Sequence, residues 1–423
     1  MRRGGGRIQL VYIGKEDGFL TGNPKVSFFR FIYRRHTNFA TESVRMYFNG
    51  NPDFGQKFTV FFPRFGDLIG PMFLIVDLPP LILANGEVVG YTNSIGNALI
   101  EDMRLIIGET EIDRHDGMWE FIWNNMTLSD NKKEVYQQMV GQYDGNPMFT
   151  TVGPYRLHIP LTFWFNKDPG QYLPLIALQY HQVQIQFKFR SAADLIYSIN
   201  IENKNNACGL VLQNPNLRLT NVELWGDYVF LENEERRRFV SKPIDYLIEQ
   251  VQIIEPFPID QNKATVSIPL VINNPIKELF WVFRRNIMKN TREYFNFTSL
   301  GANEAGTLTD LMVKAIIQLD GQDRFEARDA KYFRLIQPYK YHTSIPNTFY
   351  IYSYSFALRP EEIQPSGTLN ASRFEDIRIQ VDTETCPDPL TKKLRGDMTF
   401  YAYALGYNVL RITQGYGGLL FAN

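Results

Sequence analysis

The sequence predicts an all-β protein built from two consecutive domains. Its 423 residues exceed one ordinary domain and suit two domains of about 200 residues each. Aromatic residues make up 14% of the chain, with 32 Phe and 23 Tyr, and such residues favour half-buried pleated surfaces over helices. Segments with alternating apolar and polar residues occur in both halves, and a period of two is typical of strands with one wet face.

The first 25 residues are predicted to form an arm outside the first domain. Arg2, Arg3 and the glycines that follow supply charge and chain freedom but little surface to bury. Ile8, Leu10 and Tyr12 are apolar anchors that need a covering partner. We therefore expect the arm to become ordered only against another molecule.

The clearest strand prediction covers residues 181–190. The side chains expected to face inward alternate with Gln, Lys and Arg, and they are Val183, Ile185, Phe187 and Phe189. Residues 265–272 and 377–382 show the same alternation in the second half. Both halves are thus expected to contain strands with one polar face.

Helical periodicity is scarce, and its best instance follows Asp116-Gly117. Four apolar residues there have the spacing i, i+3, i+4 and i+7, and they are Trp119, Ile122, Trp123 and Met126. A second short helix is expected near residues 131–143. Neither is long enough to form a layer, so both are predicted to be inserts in a β fold. The pair His115-Asp116 is interpreted as a turn and helix cap rather than as half of a catalytic dyad.

An internal similarity relates the two halves. In the first half, an aromatic strand at 159–165 leads to a Pro/Gly loop at 167–170, an apolar segment and a strand that ends at 190. In the second half, residues 349–358, 364–367, 369–374 and 377–382 repeat that order. The charged run at 232–241 separates the halves. We therefore predict an arm at 1–25, a first domain at 26–231, a linker at 232–241, a second domain at 242–414 and a glycine-rich, bendable tail at 415–423.

Charge and motif content argue against several kinds of function. The 44 Lys and Arg balance 45 Asp and Glu, so no global field attracts nucleic acid or an anionic membrane, and any basic patch must be local. No apolar stretch is long enough for membrane insertion. Cys208 and Cys386 match neither a disulfide framework nor a metal spacing. The five His residues lack zinc-site spacing, and nucleotide-loop and hydrolase motifs are absent. The sequence therefore predicts neither a metal nor a cofactor.

Four acidic residues leave one enzymatic alternative open. Sandwich folds host glycosidases that use paired carboxylates, and such a pair could come from Asp67, Asp77, Glu101 and Asp102. Random clustering among 45 acidic residues explains these four equally well.

Three basic clusters are candidate contact sites. They are Arg34-Arg35-His36, Arg236-Arg237-Arg238 and Arg284-Arg285. A solvated rim is the first interpretation, a subunit contact the second and phosphate binding the third.

Several motifs in fixed order resemble the major capsid proteins of nucleocytoplasmic large DNA viruses. In the first half they are Thr21-Gly22-Asn23-Pro24, Phe28-Phe29, Tyr33-Arg34-Arg35-His36-Thr37-Asn38-Phe39-Ala40, Ile159-Pro160-Leu161 and Phe163-Trp164-Phe165-Asn166. Further on they are Leu173 to Leu178, Glu234 to Phe239, Pro275 to Phe283, Asp323-Arg324-Phe325, Gln364 to Thr368 and Tyr407 to Ile412. The resemblance spans most of the chain.

The resemblance implies two consecutive jelly-roll sandwiches of about eight strands each. It also implies a homotrimer whose six jelly rolls form a pseudo-hexagonal capsomer in an icosahedral virion shell, assembled in the host cytoplasm and bound underneath by minor capsid or cement proteins. The arm would then lie on the inner side of that shell. Arg34, Arg35, His36, Arg236, Arg237 and Arg238 become candidate subunit contacts. The alternatives are a minor capsid paralogue and, from another class, a jelly-roll glycan-binding protein or glycosidase.

Two segments are expected to form the exposed outer loops. Gly, Asn and Thr interrupt the strand pattern at residues 141–153 and 286–310 for longer than a hairpin requires. We expect proteases to cut there first.

Overall fold

A computed structural model of the chain describes residues 5–81, 87–143, 148–149, 154–200, 217–301, 308–384 and 396–421. The expectations for Arg2, Arg3, Cys208 and Cys386, and for parts of the two predicted outer loops, fall outside these ranges. The chain divides into two compact units, Met1–Asn38 and Phe39–Asn423. The first unit ends at Asn38, and the arm boundary predicted at residue 25 lies within it.

The first half contains thirteen strands among the described residues. They are β1 (Phe39–Met46), β2 (Phe48–Asn49), β3 (Lys57–Phe61), β4 (Leu68–Leu78), β5 (Glu87–Thr92), β6 (Ile100–Ile107), β7 (Thr110–His115), β8 (Met148–Phe149), β9 (Tyr155–Pro160), β10 (Leu173–Pro174), β11 (Val183–Phe189), β12 (Ile196–Asn200) and β13 (Asn221–Leu231).

The strands described in the second half complete the series. They are β14 (Ile244–Ile259), β15 (Thr265–Pro269), β16 (Pro275–Arg285), β17 (Met312–Leu319), β18 (Gln322–Asp323), β19 (Arg328–Asp329), β20 (Tyr352–Ser355), β21 (Leu369–Asn370), β22 (Ile377–Thr383), β23 (Met398–Thr413) and β24 (Tyr416–Leu419).

The helices are short. They are α1 (Gly5–Val11), α2 (Gly18–Thr21), α3 (Ile95–Leu99), α4 (Gly117–Thr127), α5 (Asp130–Val140), α6 (Ala192–Leu195), α7 (Asn233–Ser241), α8 (Asn286–Asn290) and α9 (Gln337–Tyr341). Single 3₁₀ turns lie at Trp164–Asn166, Pro169–Gln171, Leu175–Ala177 and Ala371–Arg373, and a π-helical turn lies at Tyr332–Ile336.

Each half is a sandwich of two antiparallel sheets. In the first half, one sheet has the order β1-β13-β4, with β9 and β10 also on β4, and it faces the sheet β2-β3-β11-β6-β7. In the second half, β14-β23-β16 carries β20 and β21 on β16, and it faces β15-β22-β17 with β18 and β19. This is the predicted all-β, double-sandwich fold. A third small sheet, β12-β5-β8, is an addition to the first half.

The internal similarity seen in the sequence is a repeat of topology. Strands β9, β10 and β11 correspond to β20, β21 and β22, and a 3₁₀ turn precedes the last strand of each set. The partners correspond as well, because β9 and β10 pair with β4 while β20 and β21 pair with β16. The chain therefore builds the same supersecondary unit twice.

Alternating burial explains why these segments are strands. Val183, Ile185, Phe187 and Phe189 of β11 are buried as predicted, with more exposed residues between them. Strands β15 and β22 show the same pattern. Each such strand places one apolar face on its sandwich core, since successive side chains point to opposite faces.

The two helical inserts form as predicted. Helix α4 begins after Asp116, whose carboxylate accepts a hydrogen bond from the Trp119 N–H at 2.7 Å, which confirms the cap interpretation. Helix α5 ends at Gly141, whose φ of 68° is the left-handed conformation that glycine adopts most readily.

The predicted linker is helical, and the predicted tail differs from expectation. The charged run at 232–241 contains α7, so it breaks the strand alternation because it is helical. The tail contains β24, which pairs with β23, and the turn between them has φ of 53° at Gln414 and 86° at Gly415. Two positive φ values are typical of a type I′ hairpin turn. The glycines of the tail thus build a hairpin rather than a bendable end.

The segment after β16 also differs from the exposed loop that was expected. Tyr294, Phe295 and Phe297 are buried, and the Phe295 ring stacks on Phe121 of α4 with centroids 4.3 Å apart. Residues 291–299 are therefore part of the core, because the aromatic residues between the turn formers have a surface to pack on. Residues 302–307 lie outside the described ranges.

Candidate assembly interface

Helix α4 lies at the seam between the two sandwiches. Its Trp119 contacts Phe280 of β16 and Tyr403 of β23, with ring centroids 5.6 and 5.7 Å apart. Phe121 contacts Phe349, with centroids 4.9 Å apart. Because aromatic residues bury large areas, these contacts hold the two sandwiches together as one body.

Directed hydrogen bonds fix the register of that seam. The Val251 N–H of β14 donates to Asp113 Oδ1 of β7 at 3.0 Å, and Gln250 Nε2 donates to the Ile112 carbonyl at 2.8 Å. The Tyr403 hydroxyl donates to the carboxylate of Asp116 at about 3 Å. Asp116 therefore caps α4 and binds the second sandwich with the same group.

A buried histidine with two carboxylates lies beside these contacts. His115 Nε2 lies 3.1 Å from Asp113 Oδ2, and its Nδ1 lies 3.1 Å from Glu120 Oε1. Burial alone would lower the pKa of His115, but the two carboxylates outweigh it and raise that pKa to about 9. The imidazole is therefore held in its charged form at neutral pH.

The second sandwich contains a similar cluster. His342 Nε2 lies 2.6 Å from Glu278 Oε1, and its Nδ1 lies 3.0 Å from Glu361 Oε1. These carboxylates overcome the effect of burial and raise the pKa of His342 to about 9.

A third buried cluster joins the sandwiches through one carboxylate. Glu249 of β14 binds Lys167 of the first sandwich, with Nζ 2.8 Å from Oε2, and its Oε1 contacts Lys277 of β16. Burial would raise the pKa of Glu249, but the two lysines lower it to about 2. Lys167 also lies over the Trp123 ring, 4.1 Å from its centroid. The cluster is a charged cross-link within the seam.

The arginine cluster Arg284-Arg285 is buried and structural. Arg284 Nη2 donates to the Tyr401 hydroxyl at 2.6 Å, and Arg285 Nη1 donates to the Ser299 carbonyl at 2.7 Å. The Tyr294 ring lies between Arg284 and Arg190 of the first sandwich, 5.6 and 4.7 Å from its centroid. This pair anchors the 291–299 segment, so it is neither a rim nor a phosphate site.

The cluster on α7 divides between two roles. Arg236 Nε lies 3.0 Å from Asp67 Oδ1, which fixes the helix against the first sandwich. Arg237 and Arg238 are exposed. Arg236 is exposed as well, with 49% of its side chain accessible, so all three residues stay candidate contacts.

The predicted arm residues are exposed within the unit Met1–Asn38. Ile8, Leu10 and Tyr12 are mostly accessible, and so are Arg34 and Arg35. His36 is exposed too, and its Nδ1 donates to the Thr37 carbonyl at 2.7 Å.

The four carboxylates considered for glycoside hydrolysis are each bound to a cation. Asp77 pairs with Arg156 at 2.7 Å, and hydrogen bonding from that guanidinium lowers the pKa of Asp77. Glu101 pairs with Lys188, Asp102 with Arg104 and Arg114, and Asp67 with Arg236. All four therefore lie in ion pairs, and the lowered pKa of Asp77 is the opposite of what a general acid needs.

Two further searches concern only the described parts of the chain. No cluster of three His, Cys, Asp or Glu residues there is arranged to hold a metal ion. No helix in those parts is long and apolar enough to cross a membrane.

The seam was missed by sequence reasoning. Its charged groups lie singly on different strands, and their proximity depends on the fold. One local signal did exist, since Lys277-Glu278 interrupts the apolar run of β16, and buried charges in a strand require partners.

Comparison with known proteins gives matches along almost the whole chain. Residues 27–232 match the family model described as major capsid protein N-terminus, and residues 235–418 match that of the large eukaryotic DNA virus major capsid protein. The major capsid protein of Pyramimonas orientalis virus is 36% identical, and that of Paramecium bursaria Chlorella virus 1 is 35% identical. In both cases 99% of this chain and 100% of the relative are covered.

Solved structures agree. The VP54 protein of PBCV-1 has a TM-score of 0.78 at 31% identity, and the match covers 94% of this chain and 100% of that one. The Faustovirus major capsid protein has a TM-score of 0.75 at 13% identity over 95% and 94% of the two chains, and it supports the fold alone. The relatives are structural proteins, not enzymes. The chain is a double jelly-roll protein and belongs to the family of large eukaryotic DNA virus major capsid proteins.

Proposed function

We propose that three copies of this chain form a trimer, and that the trimers tile the icosahedral shell of a virion as pseudo-hexagonal capsomers. The observation that carries this proposal is the repeated topology of the two sandwiches. Two similar domains per chain, arranged around a threefold axis, approximate the sixfold outline that tiles a flat facet. The buried seam supports it further, because a capsomer needs a constant angle between its two jelly rolls.

The partners of the trimer follow from that arrangement. Neighbouring capsomers bind its flanks, and minor capsid or cement proteins bind beneath it, after assembly in the host cytoplasm. A minor capsid paralogue of the same fold is the second candidate. Copy number in purified particles separates the two, because the major protein must be the most abundant species.

Mass photometry of the purified protein at micromolar concentration tests the trimer. Three chains of 49.2 kDa give a particle of about 150 kDa. Only monomer at that concentration would count against the proposal.

The exposed arginines are the proposed subunit contacts. Two double variants test them: Arg237→Glu with Arg238→Glu, and Arg34→Glu with Arg35→Glu. We expect each to reduce the fraction of the protein that is trimeric. Reversed charges at an interface oppose association. Lys331→Glu with Arg373→Glu is the matched control, since both residues are exposed on the second sandwich. Equal loss of trimer in the control would remove these arginines from the interface.

A further inference from the structure

The charges of this nearly neutral chain are distributed unevenly between its two units. Residues 1–38 contain eight of the 44 Lys and Arg residues and only two of the 45 Asp and Glu. The unit Met1–Asn38 therefore carries six net positive charges, and the remainder carries seven net negative charges. Such an asymmetry indicates that the short unit has an anionic partner.

The same unit exposes a dense set of large apolar side chains. Thirteen of them lie between positions 8 and 33, namely Ile8, Leu10, Val11, Tyr12, Ile13, Phe19, Leu20, Val26, Phe28, Phe29, Phe31, Ile32 and Tyr33. Phe28 and Phe29 are 96% and 99% exposed. Large apolar side chains exposed this densely along a segment mark a contact surface rather than a solvated one.

The order of residues in the second part of the unit distinguishes between kinds of partner. Phe28 and Phe29 lie in a turn, whereas residues 31–38 contain no helix, strand or turn and include the consecutive apolar residues Phe31-Ile32-Tyr33. Consecutive side chains of an extended segment point to opposite sides. A groove on a folded protein covers one side, whereas the interfacial region of a bilayer can surround both.

The basic residues next to these apolar side chains also favour a membrane surface as the partner. Lys25, Arg30, Arg34 and Arg35 bracket the apolar positions, and basic residues next to aromatic ones are typical of segments that bind a membrane surface. Single-stranded nucleic acid would stack on the rings but would leave aliphatic side chains such as Ile8, Leu10 and Val11 uncovered.

We propose that the unit Met1–Asn38 binds the surface of an anionic lipid membrane. Its basic side chains outside the proposed subunit contacts, Arg7, Lys15, Lys25 and Arg30, contact the lipid phosphates. Its Phe, Tyr, Leu and Ile side chains enter the interfacial region without spanning the bilayer. The net negative charge of the rest of the chain is repelled by the same surface. This proposal goes beyond the capsomer, and it gives the shell a side that faces lipid.

Vesicle flotation of the full chain tests it. We expect binding to phosphatidylcholine vesicles that contain about one third phosphatidylserine, weaker binding to phosphatidylcholine alone, and release as salt rises to about 1 M. Arg7→Glu, Lys25→Glu and Arg30→Glu together, which spare the proposed subunit contacts, should weaken binding to the anionic vesicles by about a hundredfold or more. Phe28→Ser with Phe29→Ser should weaken it by about tenfold at unchanged charge.

Matched controls use residues of the other unit. Lys314→Glu, Lys331→Glu and Arg373→Glu change the net charge equally, and Val271→Ser with Leu358→Ser removes two apolar side chains that are also largely exposed. Both controls should leave vesicle binding within about twofold. Absence of binding, equal losses in the controls, or binding to single-stranded DNA but not to vesicles would each overturn the proposal. Mass photometry of the same samples reports the trimer separately, so failure of one proposal is distinguishable from failure of the other.

Discussion

Single residues at the seam combine local and long-range roles. Asp116 accepts the capping hydrogen bond of α4 and also binds Tyr403, whose ring is buried. The cap could be predicted from the sequence because its partner is three residues away. The bond to Tyr403 could not, because 287 residues separate the pair.

The substitution Asp116→Ala should therefore cost more than the loss of a cap. We expect the free energy of unfolding to fall by about 2 to 4 kcal/mol, because the Tyr403 hydroxyl is left buried without its acceptor. Asp168→Ala is the control. Asp168 also caps a helical turn, since it accepts a hydrogen bond from the Gly170 N–H at 2.7 Å, but this bond is local to the first sandwich. Thermal unfolding measures both, and equal shifts would contradict the role across the seam.

The two buried histidines predict a loss of stability on the alkaline side of neutrality. Their pKa is about 9 in the folded chain against an ordinary value of 6.5. The stabilisation is thus fully present below pH 6.5 and is lost as pH rises through 9, by at most about 3 kcal/mol for each histidine. We expect the melting temperature to fall over that range. His342→Gln should make the melting temperature depend less on pH over this range, whereas His36→Gln, at an exposed histidine, should leave that dependence unchanged. A melting temperature that rises with pH between 6.5 and 9 would refute the proposed role of the buried histidines.

At the scale of elements, the sequence predicts strands well where one face is buried and the other is wet. Strands β11, β15 and β22 follow that pattern, and α4 and α5 follow helical spacing and caps. Helix α7 was missed because its residues are nearly all polar, so no apolar period marks it. The buried segment 291–299 was missed because its aromatic residues pack on α4, a partner that is distant in sequence.

Strand β24 gives a test of how the tail is held. The Tyr180 N–H donates to the Gly415 carbonyl at 3.0 Å, so the hairpin also contacts the first sandwich. A Cβ at Gly415 would lie 2.6 Å from the Tyr180 ring, and its φ is positive. We expect Gly415→Val to lower the free energy of unfolding by about 1 to 3 kcal/mol.

Gly418→Val is the matched control, because a Cβ there meets no atom within 4 Å. Its melting temperature should stay close to that of the unmodified chain. Equal destabilisation by both substitutions would mean that the turn at Gly415 is not the critical feature.

At the scale of the whole molecule, the two-domain architecture could be predicted but the contacts between the domains could not. Period-two patterns and the internal repeat depend on residues near each other in the chain. The seam brings Lys167 to Glu249 and Trp119 to Tyr403, across separations that no local pattern records. The subunit contacts stay predictions: Arg236, Arg237 and Arg238 are all exposed, and Arg236 also binds Asp67.

The separate unit at the start of the chain leads to the last prediction. The strands of the first sandwich begin at Phe39, where β1 pairs with the end of β13, and the described residues 5–22 contribute no strand to that sheet. We expect their deletion to leave a folded trimer with a nearly unchanged melting temperature, but one that assembles poorly into shells. Deletion of 415–423 is the contrasting control, because it removes β24 and should lower the melting temperature. If the chain without residues 1–22 fails to fold or loses its trimer, those residues belong to the sandwich or to the subunit contact instead.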